Sequence, residues 1–392
     1  MRELLQILHK AGQLADAGQK FALATVVKIG GSTYRRPGAR MLISASGERW
    51  GALSGGCLEG EVAQQALEVM ASGHPRLIPF NLAEDDIVLG FGTGCNGVVH
   101  VLIQPLEPAA TNTVIDALQH AVYHRRTSVM ATIIEAASST TAANDPGLGD
   151  HLLIDESNHV GPSNLGVSIK HAVALESNGF LEAELSNPQM YLWHTRKFIT
   201  PDCTYQVLFE FVRPPAKLFI FGEGYDVHAV VAQGALMGWE VVIVGRKPVD
   251  VLKDRFQLAT DWKFLMHPED VAANIQTDLR CAALVMNHTY SRDRAIMHHL
   301  LQTNIPYIGM LGPRERTQDM LTADEAFLTP SEEDQDRIFG PVGLDIGTET
   351  PEEIALSAIS EIQAVLHKRA GASLRQRNSP IHSTRSPLQV SS

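Results

Sequence analysis

Cysteine is scarce in this chain: four residues in 392, at positions 57, 95, 203 and 281, with no CxxC pair among them. That spacing argues against both a zinc knuckle and a disulfide framework, and it points to reduced thiols in the cytoplasm. Basic charge is short as well. With 32 Lys and Arg against 44 Asp and Glu the net charge is -12, so nucleic acid is not expected as a partner, because phosphate contacts need a basic surface. No run is long and apolar enough to cross a bilayer. The N-terminal stretch Met1 to Gly18 mixes charged and apolar residues at helical spacing and has no apolar core of the signal-peptide kind.

The length accommodates two or three domains, each able to bury its own core. The chain is organised around Gly51 to Met70, GALSGGCLEGEVAQQALEVM. Here a glycine pair, Gly55 and Gly56, precedes Cys57, and a helical pattern follows with Leu58, Val62, Ala66 and Val69 or Met70 on one face. A thiol just inside a helix start lies where free N–H groups and the positive end of the helix dipole favour an anion. Ser54 is placed to cap that helix, and the glycines leave room for a bulky ligand. A buried structural thiol beside an ordinary turn is the plainer reading of the same residues.

Two further stretches join it. After a strand at Phe21 to Lys28 comes a loop from Gly30 to Arg40 with three glycines and with Arg35, Arg36 and Arg40, a composition suited to holding an anion. A solvated basic connection is the alternative. Later, Gly90 to Gly97 forms a second glycine turn carrying Gly94, Cys95, Asn96 and Gly97, followed by a strand from Val98. Two of the four cysteines thus sit in glycine turns, which suggests one shared pocket.

The region from Ala110 to Arg213 reads as a decayed copy of what precedes it. Ala131 to Ile134 echoes Ala24 to Val27, His151 to Gly161 echoes Arg40 to Gly51, and Tyr205 to Phe211 echoes His100 to Leu106. The second copy has Gly161-Pro162-Ser163-Asn164 in place of the SGGC turn, so the site belongs to the first copy, and Cys203 reads as structural. Pro214-Pro215 then marks a boundary. Beyond it, strand Lys217 to Phe221, the turn Gly222-Glu223-Gly224, a helix through Ala229 to Met237 and strand Glu240 to Val244 make the βαβ layout of a Rossmann-like unit. Its fingerprint is incomplete: Val227 stands where a third glycine belongs, and Gly245 where an acidic residue would hold a ribose. Arg246 and Lys247 follow, favouring NADP over NAD, with Gly222, Gly224 and Arg246 as nucleotide contacts. Glu223 inside the turn works against either. His288, at the end of strand Cys281 to Asn287, lies on the edge where such sheets bind ligands. A capping box at Thr350 to Glu353 opens a last helix reaching about His367.

The expected fold is therefore α/β: an N-terminal α+β domain with internal duplication over residues 1–213, a Rossmann-like doubly wound domain over 214–368, and a disordered tail over 369–392. A homodimer is the base-rate expectation.

Six separated motifs carry a resemblance that spans about residues 20–368: GGSTYRRPGARML, SGGCLEGEV, GCNGVVHVLIQP, PPAKLFIFGEG, VMNHTYSRD with YIGMLGPRER, and GPVGLDIGTETPEEIALSAISEI. Together they resemble the xanthine dehydrogenase accessory factors, including the related carbon monoxide dehydrogenase accessory proteins. The resemblance implies a cytoplasmic, more often non-catalytic maturation factor that binds molybdenum cofactor, protects it while its terminal sulfur is installed, and passes it to a molybdenum hydroxylase apo-enzyme, with a cysteine desulfurase as second partner. It further implies cofactor contacts at Ser54, Gly55, Gly56, Cys57, Glu59, Gly94, Cys95, Asn96 and Gly97, with Cys57 and Cys95 approaching the metal and Arg35, Arg36 and Arg40 on the pterin phosphate. The chain departs from its relatives in having Gly222-Glu223-Gly224-Tyr225 for a GAGH-like turn and Gly245 for an aspartate. Two rival readings are an NADP-dependent oxidoreductase and a scaffold that only joins sulfur donor to apo-enzyme.

Overall fold

The structure, a computed structural model, describes residues 1–31, 33–81, 97–108, 113–138, 147–186, 193–324 and 326–378. It divides into two compact units, one over Glu3–Pro214 and one beginning at Pro215.

In the first unit α1 (Arg2–Asp16) leads to β1 (Phe21–Gly30), β2 (Arg40–Ser44), β3 (Arg49–Gly51), α2 (Glu59–Ser72), β4 (Arg76–Asn81) and β5 (Val98–Leu106). The strands form an antiparallel sheet in the order β3-β2-β1-β5-β4. The pattern then recurs. Helix α3 (Thr113–Tyr123) precedes β6 (Ser128–Ser138), β7 (His151–Asp155), α4 (Val167–Ser186), β8 (Trp193–Ile199) and β9 (Cys203–Val212), in a sheet of order β7-β6-β9-β8.

The duplication extends to single hydrogen bonds. β1 breaks register between Val26 and Lys28, and β6 between Ile133 and Glu135. In the first copy Val26 N donates to Ala39 O and Gly38 N to Val26 O; in the second, Ile133 N donates to Asp150 O and Gly149 N to Ile133 O. Gly38 and Gly149 share a positive φ, 93° and 88°, a conformation that favours glycine. In one respect the ladders correct the sequence comparison. His100 lies opposite Lys28 and Gln206 opposite Glu135, so the counterpart of His100 is Gln206 and not Tyr205. A slip of one residue would have turned every side chain of the strand to the wrong face.

Alternate strand residues explain the layers. Ala22, Ala24, Met41, Ile43, Val101 and Ile103 pack beneath α2, while Leu23, Leu42, Leu106, Met130, Leu153 and Val212 pack with α1 and α3. Val27, Leu102, Ile134 and Leu208 form a further small cluster in which both sheets take part.

The second unit is a parallel sheet of order β12-β11-β10-β13-β14-β15. Its strands are β10 (Lys217–Phe221), β11 (Glu240–Gly245), β12 (Asp261–Phe264), β13 (Cys281–Val285), β14 (Ile308–Met310) and β15 (Ile338–Phe339). Leu218 and Ile220 join one core while Phe219 and Phe221 join the other, as in a sheet covered on both faces. Helix α5 (Val227–Leu236) packs on the first of these faces together with the final helix, Pro351–Leu366. That final helix opens with the expected capping box between Thr350 and Glu353, with Pro351 at its first position. Residues 369–378 are exposed except for the half-buried Arg377 and include a 3-10 turn at Leu374–Gln376, and the rest of the anticipated tail lies outside the described residues.

Candidate functional site

The topology of the first sheet decides where its loops emerge. Gly30 at the end of β1 pairs with Val98 at the start of β5, which also pairs with Asn81 at the end of β4. At the same end Thr25 pairs with Arg40, and Met41 with Gly51 at the end of β3. The arginine loop, the SGGC turn and the chain flanking the second glycine turn therefore all leave one end of one sheet.

Within the SGGC turn, Leu53 and Leu58 are each 1% exposed and anchor the two sides, a burial that contributes about 1.5–3 kcal/mol per side chain. Between them a polar latch closes the turn. The Glu59 carboxylate accepts from Leu53 N at 3.0 Å, Ser54 N at 2.8 Å and the Ser54 hydroxyl at 2.7 Å. The Ser54 oxygen in turn accepts from Gly56 N at 3.1 Å and Leu58 N at 3.2 Å. Burial works to raise the Glu59 carboxyl, but the hydrogen bonds from Ser54 and Leu53 outweigh it and hold the group below the ordinary carboxylate range. Gly55, Gly56 and Cys57 remain as an exposed tip. A Cβ added at Gly55 or Gly56 meets nothing within 4 Å, and the φ of 120° at Gly56 disfavours any L side chain. Gly51 has a different reason to be glycine: its Cβ would lie 2.4 Å from Arg40 O.

The latch shifts the expected helix start. Helix α2 begins at Glu59 with Leu58 at its N-cap, so Cys57 stands just outside the cap and not inside the first turn. Ser54 does not cap the helix from the N-cap position; it holds the turn before it.

The three arginines of the loop have three different surroundings. Arg35 is bidentate to Glu3 at 3.0 and 2.5 Å. Hydrogen bonding to Glu3 raises it above its usual range against the effect of burial, with smaller contributions from Tyr34 and Glu59, so the loop and the latch lie within electrostatic reach of each other. Arg40 is 8% exposed; it donates to Gly38 O at 2.9 Å and forms a buried ion pair with Glu210 of the second copy. Arg36 is partly buried, and its Nε is shielded from solvent without a hydrogen-bond partner. Gly97 is buried at the head of β5, whereas Gly94, Cys95 and Asn96 lie outside the described residues. Cys203 and Cys281 are buried in their cores.

In the second unit Gly222 lets the end of β10 approach Met286 O, which its Cβ would meet at 2.7 Å. The helix–strand packing glycine is Gly234, whose Cβ would meet Val241 at 2.7 Å; the fingerprint spacing points to Val227, so the sequence did not reveal it. Glu223 reaches across to the end of β11. Its carboxylate accepts from Arg246 N and from Lys247 N at 3.1 Å, and a Cβ on Gly245 would lie 2.5 Å from its Oε1. Asp226 begins α5, accepting from Val227 N at 3.2 Å, and lies 3.3 Å from Nε2 of His288, which has a φ of 60°. Two carboxylates thus stand at the turn where a dinucleotide would place its phosphates and ribose.

Residues 14–81 match the XdhC and CoxI family, and residues 218–362 match the XdhC Rossmann domain. The chain is 29% identical to a protein of Bacillus subtilis (strain 168) described as a probable xanthine dehydrogenase component, covering 89% of this chain and 94% of that protein. It is 24% identical to the molybdenum cofactor insertion chaperone PaoD of Escherichia coli (strain K12), covering 94% and 91%. Among solved structures, one described as a xanthine dehydrogenase from Bacillus halodurans superposes with a TM-score of 0.70 at 24% identity, over 95% of this chain and 98% of that one.

Proposed function

Because this chain belongs to the XdhC and CoxI family, we propose that it is a chaperone that binds molybdenum cofactor as cargo and delivers it to the apo-enzyme of a molybdenum hydroxylase. The similarity to a named insertion chaperone supports the class of cargo. The observation that carries the reading is the exposed Gly55-Gly56-Cys57 tip, latched from beneath by Ser54 and Glu59 and emerging at the same sheet end as the arginine loop. A soft thiolate can approach the metal while the side-chain-free glycines leave space for the pterin. Arg36 supplies a partly exposed guanidinium for the phosphate, Arg35 borders the site through Glu3, and Arg40 fixes the base of the loop. Cys95, with Gly94, Asn96 and Gly97, supplies the further cofactor contacts of this reading.

In this reading the protein shields the cofactor while a cysteine desulfurase renews its terminal sulfur, then releases it in the cytoplasm to the client enzyme. The second unit serves docking or dimerisation, since Glu223 stands over the strand end that a ribose would need. The test is retention. Purified chain mixed with molybdenum cofactor and passed through a desalting column should keep molybdenum and pterin together. A Cys57→Ala, Cys95→Ala double variant that keeps both undiminished would refute the cysteine assignment, and loss on Arg36→Ala alone is expected to be partial.

A further inference from the structure

The second copy in the first unit carries a group of side chains that the cargo site does not use. His120 lies in the last turn of α3, and His124 follows four residues later, their rings stacked at 4.0 Å. Asp155 ends β7, and a tight turn brings the chain back at His159, whose ring stacks on His120 at 5.5 Å. One donor atom each from His120, Asp155 and His159 lies within 4.8 Å of the others. The turn fixes this arrangement. Asp155 Oδ1 accepts from Ser157 N and His159 N, both at 2.9 Å, while Asn158 holds a φ of 60°.

The duplication supplies a control within the same chain. The spacing that carries Val26 to Ile133 carries Gln13 to His120, and the spacing that carries Arg40 to His151 carries Ser44 to Asp155 and Glu48 to His159. The first copy builds the same turn with a hydroxyl, Ser44 Oγ accepting from Glu48 N at 3.0 Å. Helix, strand end and turn therefore fold without imidazoles, and the three-residue donor set in the second copy goes beyond what the fold requires.

We propose that His120, Asp155 and His159, with His124 beside them, bind a divalent transition-metal ion of the zinc type. Two imidazoles and a carboxylate from two elements match the borderline N/O donor set that Zn²⁺ takes, leaving a fourth position for His124 or water. Ligation would draw these donor atoms, within 4.8 Å of one another without the ion, closer together by rotation of their side chains. Arg126 faces the same carboxylate at 3.3 Å from Oδ2. Its half-exposed side chain swings outward when the ion arrives, so the ion exchanges one cationic partner of Asp155 for another. The bound metal pins the end of α3 to the β7 turn.

Tag-free full-length protein carrying Cys57→Ser and Cys95→Ser, which removes thiolate ligands, is titrated with Zn²⁺ by calorimetry and assayed for metal after dialysis. One zinc per chain is expected, and His120→Gln or His159→Gln should weaken it by at least about 10-fold, while the exposed His74→Gln leaves it unchanged. His120→Gln installs the residue that the first copy already tolerates. Should either variant unfold, the unsubstituted histidines are read directly: Zn²⁺ should shield His120 and His159, but not His74, from diethyl pyrocarbonate. No zinc retained, equal affinity in a folded His120→Gln or His159→Gln variant, or unprotected histidines would each overturn the assignment.

Discussion

Glu59→Gln tests whether the latch shapes the proposed cargo site. The carboxylate takes two backbone N–H groups on Oε1 and the Ser54 hydroxyl on Oε2. The amide keeps one acceptor, but its NH₂ cannot accept from Ser54. It competes instead with Gly56 N and Leu58 N for the serine oxygen. A hydrogen bond to a charged group is worth about 1.5–3 kcal/mol net when well formed; with a partly solvated carboxylate the expected loss is about 2 kcal/mol in the local closing equilibrium. That corresponds to roughly a 30-fold rise in opening. Amide hydrogen exchange on a peptide covering residues 52–60 should show it at Leu53, Ser54 and Leu58, while β1 and β5 stay protected, and retention of molybdenum cofactor should fall in parallel. The wild-type latch also has a direction in pH. Its carboxyl titrates below the ordinary range, so the contribution is present above the unfolded value and lost only as pH falls through the lowered one. Glu59→Gln removes that dependence. Unchanged exchange at these amides, or full cofactor retention by a demonstrably opened turn, would refute the reasoning.

Glu210→Ala strands Arg40 in the interior and should cost about 3–5 kcal/mol, the penalty of an unpaired buried charge, whereas Glu210→Gln, which copies Gln104 of the first repeat, should cost less; urea denaturation followed at Trp50 and Trp193 reads both. His194 is buried and titrates near 4, lowered by desolvation. Its Nε2 faces Glu176 at 3.0 Å, but Arg196 pairs with the same carboxylate, and Nδ1 is buried without a partner, so protonation would place a charge in apolar surroundings. The sign follows: the unfolded chain binds the proton first, so stability falls as pH drops from the unfolded value toward 4. About 2 kcal/mol should disappear between pH 7 and pH 5, and His194→Leu should flatten that slope. Titration with NADPH should leave the fluorescence of Trp239 and Trp262 unchanged at millimolar cofactor; tight binding would overturn the reading of Glu223 as an occupant of the ribose position.

Much of this architecture is legible because its signals are local. Glycine turns, the Thr350 capping box and the alternating strands announce themselves within a few residues, and the repeat shows in short strings such as Arg40 to Ser44 against His151 to Asp155. What the sequence withheld depends on contacts between distant residues. Arg40 reads as one of three equivalent loop cations, and only the partner Glu210, far along the chain, sets it apart from Arg36. Glu59 enters only among the implied cofactor contacts, because its partners lie behind it in the chain, at Leu53 and Ser54. Gly234 is invisible to the fingerprint since the close approach occurs two turns into the helix.

The duplication explains the miss at Arg40, which lies at the joint between copies. Glu210 reaches Gly38 and Arg40 of the first copy, and its counterpart Gln104 reaches Gly149 of the second, donating to its carbonyl at 3.1 Å. A Cβ on Gly38 would lie 2.4 Å from Glu210 and one on Gly149 would lie 2.6 Å from Gln104. The two contacts are related as in a pseudo-dimer, yet one has become an ion pair and the other a neutral amide contact. The charged one underlies the arginine loop. A buried ion pair adds little net stability but enforces one geometry, and here the geometry it enforces is that of the loop in the copy that also carries the SGGC turn. The neutral one leaves the second copy free of that constraint, which is the copy where the turn is absent and a histidine cluster has taken shape instead. Divergence at one pair of equivalent positions, Gln104 and Glu210, thus accompanies the separation of the copy that carries the SGGC turn from the copy that carries the histidine cluster.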